Sequence, residues 1–357
     1  MRAKLWIRTT AAALACALVA AACGGGDSHR LVDIGADLQG VDGLEATVYA
    51  QGLTNASAMG FDSDGRLWVA TAAYDDAGSD AVYVVDEEGA APAAVITDAH
   101  TPLGLLWVGA TLYVASTGGV EAHSGFDGTA FAEVRSVVQL PEDVGEVNGL
   151  ARSTDGRISL GVSAPCDSCT PTSEDSAAVL SFLPDGSDLR VDASGIRAPV
   201  GLAYFPDTDR LFVTMNQRDD LGEETPGDWL SIVERGEDWG FPDCYGQGGE
   251  ACGDAPRPIA ELDAHAAVSG VAIVTGQVGD AIGTAAIIAE WATGIVLMVP
   301  LAADGSAATG TARTLLTGIQ NPVAVALGPD DGLYTADWAT GTVYRVTANS
   351  HPSLTAP

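Results

Sequence analysis

The sequence predicts an all-β fold, a six-bladed β-propeller, on three observations. A short phrase made of a small apolar run, a turn and a β-branched run recurs six times. The copies are mostly spaced by about 45 residues, the length of a blade of several strands. Within each run apolar residues alternate and are bounded by Gly, Pro or Asp, the pattern of paired half-buried strands.

The clearest copy runs from Gly195 to Thr214. A loop containing Pro199 leads into Val200 to Phe205, a Pro206-Asp207 turn follows, and Arg210 to Thr214 forms the second strand. The other copies begin at Ala58, Pro102, Asn148, Gly270 and Pro322, and the one at Gly270 is degenerate. The first apolar residues of the second strands are Leu67, Leu112, Ile158, Leu211, Ile287 and Leu333, separated by 45, 46, 53, 76 and 46 residues. Six copies mean six blades. The long step from Leu211 to Ile287 implies an insertion.

At the N-terminus, residues 1–23 read as a targeting segment. Arg2, Lys4 and Arg8 precede an apolar run from Ala11 to Ala22 that is too short for a stable membrane span. Its end, Leu18-Val-Ala-Ala-Ala-Cys23-Gly, resembles a bacterial lipoprotein signal, which makes Cys23 the lipidation site. An ordinary secretory signal is the other reading, and both place the protein outside the cytoplasm, in the cell envelope or the extracellular space. Residues 24–44 are polar and weakly patterned and read as a flexible tether. The propeller is expected over 45–347, with a tail at 348–357. A ring of blades must join its ends, because an open blade leaves an unpaired strand edge. Ala46 to Ala50 is the expected closing strand, laid beside Val343 to Val346.

The chain holds 48 acidic and 16 basic residues, a net charge of −32, and losing Arg2, Lys4 and Arg8 with the signal takes it to −35. Such a balance disfavours nucleic acid and anionic membrane surfaces as partners, leaving membrane attachment only through a lipid anchor. Hydrophobic residues make up 47% of the chain, enough for a large core.

Besides Cys16 and Cys23, four cysteines form two local pairs, Cys166 with Cys169 and Cys244 with Cys252. In an exported chain these read as disulfides, with a zinc site as the rival.

In a propeller the loops that lead into the innermost strands converge on one mouth of the central channel. Those loops carry His100, Arg197, His265 and Asn321, notable in a chain with five His. Each is also a residue type that bonds loop backbone, and for His100 that structural role is the simpler reading.

The insertion carries Asn216-Gln-Arg218-Asp219-Asp-Leu-Gly222 and Trp239-Gly-Phe-Pro-Asp-Cys244-Tyr-Gly246. Together with Arg197-Ala-Pro-Val-Gly-Leu202, Asn148-Gly-Leu up to Asp155-Gly-Arg157, and Cys166-x-x-Cys169, this text resembles the glucose/sorbosone dehydrogenases. These are six-bladed pyrroloquinoline-quinone (PQQ) dependent sugar dehydrogenases, and the resemblance spans roughly residues 45 to 347. It implies oxidation of an aldose at C1, hydride transfer to the quinone, and calcium polarising the quinone. It implies cofactor contacts at Arg197, Asn148, Asn216 and Arg218, and calcium contacts at Arg218 and Asp219, partly through backbone carbonyls. The sequence also departs from the family. No His stands at Gly145 or Glu146, where the catalytic His falls, so the base is sought among His265, His100 and Glu146, the last only if desolvated. Ala198 replaces an Asn, and the stretch from Ala289 to Met298 lacks the family's cations.

Two functional readings follow. The leading one is an exported sugar dehydrogenase with a small-molecule sugar substrate and a separate electron acceptor. The alternative is a propeller that has lost the chemistry and binds a glycan, another ligand or a protein partner at the envelope.

Overall fold

The structure is a computed structural model that describes residues 30–74, 80–245 and 252–349. The expected signal at 1–23, with Cys23, lies outside the described residues.

Six sheets form the ring expected from the repeats. Their innermost strands are Ala56–Phe61, Gly104–Val108, Val147–Arg152, Pro199–Tyr204, Val268–Thr275 and Pro322–Leu327, which we number blades 1 to 6. The six anchor residues all sit in second strands and are buried. Six hydrophobic clusters fill the gaps between neighbouring blades. Trp68 of blade 1 packs with Leu105 and Leu112 of blade 2, and Ile196 of blade 3 packs with Leu202 and Val213 of blade 4. A blade buries neither face alone, so the ring is the smallest unit that hides both. Full burial of a side chain such as Leu112 contributes about 1.5–3 kcal/mol, and Trp68 adds a bond from Nε1 to Asp62 at 2.8 Å.

Close approach of the inner strands explains the recurring glycines. A Cβ on Gly149 would lie 2.6 Å from the Val200 carbonyl oxygen, and one on Gly201 would lie 2.5 Å from that of Ser269. The small residue lets each inner strand nest against the next.

The ring closes where the sequence placed the closure. Leu44–Ala50 pairs antiparallel with Thr342–Ala348, with Ala46 opposite Val346 and Ala50 opposite Val343. Of the tether expected over 24–44, residues 24–29 lie outside the described residues and the rest is corrected by the structure. Leu31–Gly35 and Leu38–Val41 form a hairpin on the outer edge of blade 5, with Gly40 opposite Leu316. Its Ile34, Leu38 and Val41 are buried in the cluster between blades 5 and 6. That apolar surface is what holds the segment down.

Buried carboxylates lace blades together. Asp80, at the start of a blade 1 strand, accepts from the backbone N–H of Thr101 in the loop into blade 2. Asp228 of blade 4 accepts from Gln217 N–H at 2.7 Å and from Val268 N–H of blade 5 at 3.1 Å. Both pairs of local cysteines, Cys166–Cys169 and Cys244–Cys252, are disulfides.

Candidate functional site

In five of the six blades the pairing of the inner strand slips at its start, between Ala56 and Ala58, Val147 and Leu150, Pro199 and Leu202, Val268 and Val271, and Pro322 and Ala324. A bulge leaves ladder positions unpaired and re-aims side chains. The residues at these slips, among them Ser57, Asn148, Val200, Ser269 and Val323, line a cavity of about 830 Å³ at the channel mouth. The bulges therefore make the site.

Its wall has two characters. Blades 3, 4 and 5 contribute the polar half: Glu146, Arg197, Asn216, Gln217, Asp219, Asp228 and His265. Blades 5, 6 and 1 contribute an aromatic arc of Trp291, Trp338 and Tyr74. The two Trp rings meet edge to face with centroids 5.8 Å apart, and Trp338 Nε1 donates to the Ala72 carbonyl at 3.0 Å. Trp291 is 36% exposed and Tyr74 60%, so the arc presents ring surface to whatever enters.

The polar half is a connected chain of charges. Arg197 Nη2 lies 2.7 Å from Asp167 Oδ1, its Nε donates to the Asp167 carbonyl, and its Nη1 donates to the Asn216 carbonyl at 3.2 Å. Asp167 also accepts the Asp219 backbone N–H at 3.0 Å. Asp219 Oδ1 lies 2.6 Å from His265 Nδ1, and His265 Nε2 donates to the Gly222 carbonyl at 2.8 Å. The Asp219 bond, then the Gly222 bond, raise the His265 pKa above its ordinary value. A carbonyl and a carboxylate both accept, so the two contacts favour the doubly protonated, cationic ring.

These positions bear on each expected site residue. Arg197, Asn148, Asn216, Asp219, His265 and Glu146 are brought together at one mouth. Both His265 ring nitrogens are engaged, by Asp219 and by the Gly222 carbonyl, which disfavours a role as base. Glu146 is exposed on the wall, not desolvated as a base role required. His100 and Asn321 lie outside the cavity lining, and Asn321 Nδ2 donates instead to the Trp291 carbonyl at 2.9 Å. Arg218 is also outside it: both its Nε and Nη2 bond Asp220 at 2.6 Å, and its guanidinium lies 4.6 Å from the Tyr245 ring centre. Its guanidinium cannot ligate a metal, which leaves only its backbone carbonyl for the expected calcium contact. Asn148 is buried and its Nδ2 donates to Ser163 Oγ and the Glu146 carbonyl.

Sequence reasoning missed Asp167, Gln217, Asp228 and the aromatic arc as site residues. One signal was present. Ala289-Glu-Trp-Ala-Thr-Gly294 and Ala336-Asp-Trp-Ala-Thr-Gly341 are near-identical turns that set Trp291 and Trp338 at matching places in blades 5 and 6. Asp228 is the lining carboxyl with neutral-range chemistry, since burial pushes its pKa up to about 6.

The quinone and calcium that the resemblance implies were tested against this donor set. The quinone carries three carboxylates. Arg197 is the one arginine lining the cavity among the described residues, and Asp167 already holds it. His265 is likewise held by Asp219, and Glu146 and Asp228 add negative charge to the same wall. The residues present do not fit a trianion. For calcium, Asn216 has a buried Oδ1 without a partner, a suitable oxygen donor, but no group of three or more His, Cys, Asp or Glu converges as a metal cage among the described residues.

No protein-family model and no curated protein matches the chain. Solved structures do match. A Trichoderma reesei protein of carbohydrate-active enzyme family AA12 is 19% identical, with a TM-score of 0.71 over 87% of this chain and 97% of that one. The PQQ domain of pyranose dehydrogenase from Coprinopsis cinerea is 16% identical, with a TM-score of 0.70 and the same coverage. The PQQ-bound aldose sugar dehydrogenase of Streptomyces coelicolor is 19% identical, with a TM-score of 0.68 over 85% of this chain and 98% of that one. The chain is thus similar to PQQ-dependent sugar dehydrogenases along nearly their whole length, and it has their six-bladed propeller fold.

Proposed function

We propose that this chain is an exported, sugar-dehydrogenase-like propeller whose mouth binds a sugar, and that the cell envelope is its place of work. The observation that carries this reading is the cavity wall. Aromatic rings offer a flat apolar surface to sugar C–H groups, and opposite them lie amides with open valences. Asn216 Oδ1 lacks a donor and Gln217 Nε2 lacks an acceptor, although Gln217 is buried. A hydroxyl both donates and accepts, so a ligand rich in hydroxyls satisfies both. The volume takes a monosaccharide or the end of a glycan.

A second reading is oxidation of an aldose at C1 with hydride transfer to PQQ, aided by calcium. It is favoured by one observation, that the similar Coprinopsis and Streptomyces proteins are a PQQ domain and a PQQ-bound dehydrogenase. Here the group best placed to exchange a proton is Asp228, whose carboxyl lies buried at the wall, where burial pushes its pKa up to about 6. The charge of the wall speaks against this reading, and no step through the quinone is drawn.

One experiment separates the two. The exported protein is titrated with PQQ and calcium by absorbance, then with aldoses by calorimetry, with and without a redox dye. Sugar binding without dye reduction or quinone binding supports the sugar-binding propeller. Calcium-dependent quinone binding with dye reduction replaces it with the dehydrogenase. Absence of sugar binding overturns the first reading. Mass spectrometry of the membrane-extracted protein checks lipidation at Cys23, and an unmodified secreted chain overturns the anchor.

A further inference from the structure

We propose that the sugar taken by this mouth carries an ammonium group: an amino sugar, in preference to neutral, N-acylated or anionic sugars. The inference rests on the sugar-binding reading and deepens it.

The charges at the wall are unequal in their availability. Both cations are already engaged, Arg197 by Asp167 and His265 by Asp219. Glu146 differs. Its backbone carbonyl accepts from Ser163 N–H and Asn148 Nδ2, but no hydrogen bond or ion pair engages its carboxylate among the described residues. Glu146 is exposed and lines the cavity. The aromatic arc of Trp291, Trp338 and Tyr74 lines the same cavity, and an indole face attracts an ammonium as well as a sugar ring. A free carboxylate and open aromatic faces in one cavity suit a cation. The acidic protein, at −32 overall, raises the local concentration of cations and lowers that of anions. Gln217, buried with Nε2 unpartnered, supplies the separate requirement for an acceptor oxygen on the ligand.

The test compares four sugars on one ring by calorimetry at low salt and pH 7: glucosamine, glucose, N-acetylglucosamine and glucuronate. Glucosamine is expected to bind about fivefold to tenfold more tightly than glucose, the combined scale of one exposed ion pair and one cation–π contact. The preference should shrink as salt rises. Glu146→Gln, a change at an exposed side chain, should bring glucosamine to the level of glucose. Glucose binding as tightly as glucosamine overturns the ammonium proposal and leaves the sugar-binding reading standing. A preference that survives Glu146→Gln overturns the role of that carboxylate. If none of the four binds, the proposal and the reading beneath it fall together.

Discussion

Asp167 Oδ1 lies 2.7 Å from Arg197 Nη2, and this contact withdraws from the mouth the one arginine that lines it among the described residues. Asp167 sits between the half-cystines Cys166 and Cys169, so a four-residue disulfide loop presents the carboxylate that neutralises Arg197 and also holds the Asp219 N–H. Replacing Asp167 with Asn removes that countercharge. Affinity for anionic ligands, measured with glucuronate or PQQ, should rise. Denaturant unfolding should show a loss of about 1–2 kcal/mol, since the contact is partly exposed. Unchanged anion affinity would mean that Arg197 is not masked by Asp167.

Glycines on the inner strands are a graded test of the ring. Gly201→Ala places a Cβ 2.5 Å from the Ser269 carbonyl and 2.8 Å from Thr214 Oγ1, whereas the same change at Gly60 meets its nearest atom at 3.7 Å. Gly201→Ala should cost about 1–3 kcal/mol in unfolding free energy, and Gly60→Ala well under that. Equal effects would remove close approach of the strands as the reason for the glycines.

Glu290 is fully buried at the end of a blade 5 strand, with Oε2 bonded to Thr293 Oγ1 at 2.8 Å and Oε1 without a partner. Burial, then the negative field of Asp263 and Asp228, push its pKa up to about 7 from 4.5. The folded protein thus keeps a proton that the unfolded chain loses, so stability falls as pH rises from about 4.5 to about 7. Glu290→Gln should flatten that part of the profile and stabilise the protein at pH 8 by about 1–3 kcal/mol, with little change at pH 4. Urea melts across pH check the sign. A variant less stable than its parent at pH 8 would show that the charge is compensated.

The repeats were legible because each blade writes the same short-range chemistry: a glycine where inner strands crowd, an apolar anchor, an acidic turn. The N-terminal hairpin was not. Its two-residue loop, Ala36-Asp37, has positive φ at both positions, 53° and 61°, a geometry usually announced by Asn-Gly. The strands are also short, and their partner, Arg313–Thr317, lies far along the chain. At the site, two of the four residues placed by the incoming loops were legible, since the fold brings Arg197 and His265 to one mouth while His100 and Asn321 stay outside the lining. Their roles were not, because they depend on contacts such as Asp219 with His265 that span tens of residues. The paired Glu290-Trp291 and Asp337-Trp338 turns were readable but lay outside the strand pattern being followed.

Glu45 and Thr347 face each other across the closing pair of strands although 302 residues separate them. The strand that seals the ring is therefore made before all six inner strands and its partner made last. While the chain is being synthesised, Leu44–Ala50 has no edge to join, and the hairpin before it waits for Arg313–Thr317. The ring cannot mature blade by blade from its beginning. Its final fastening is deferred until the C-terminal strands have emerged, so a chain cut short of Thr342 keeps its opening strand exposed as a site for misassembly.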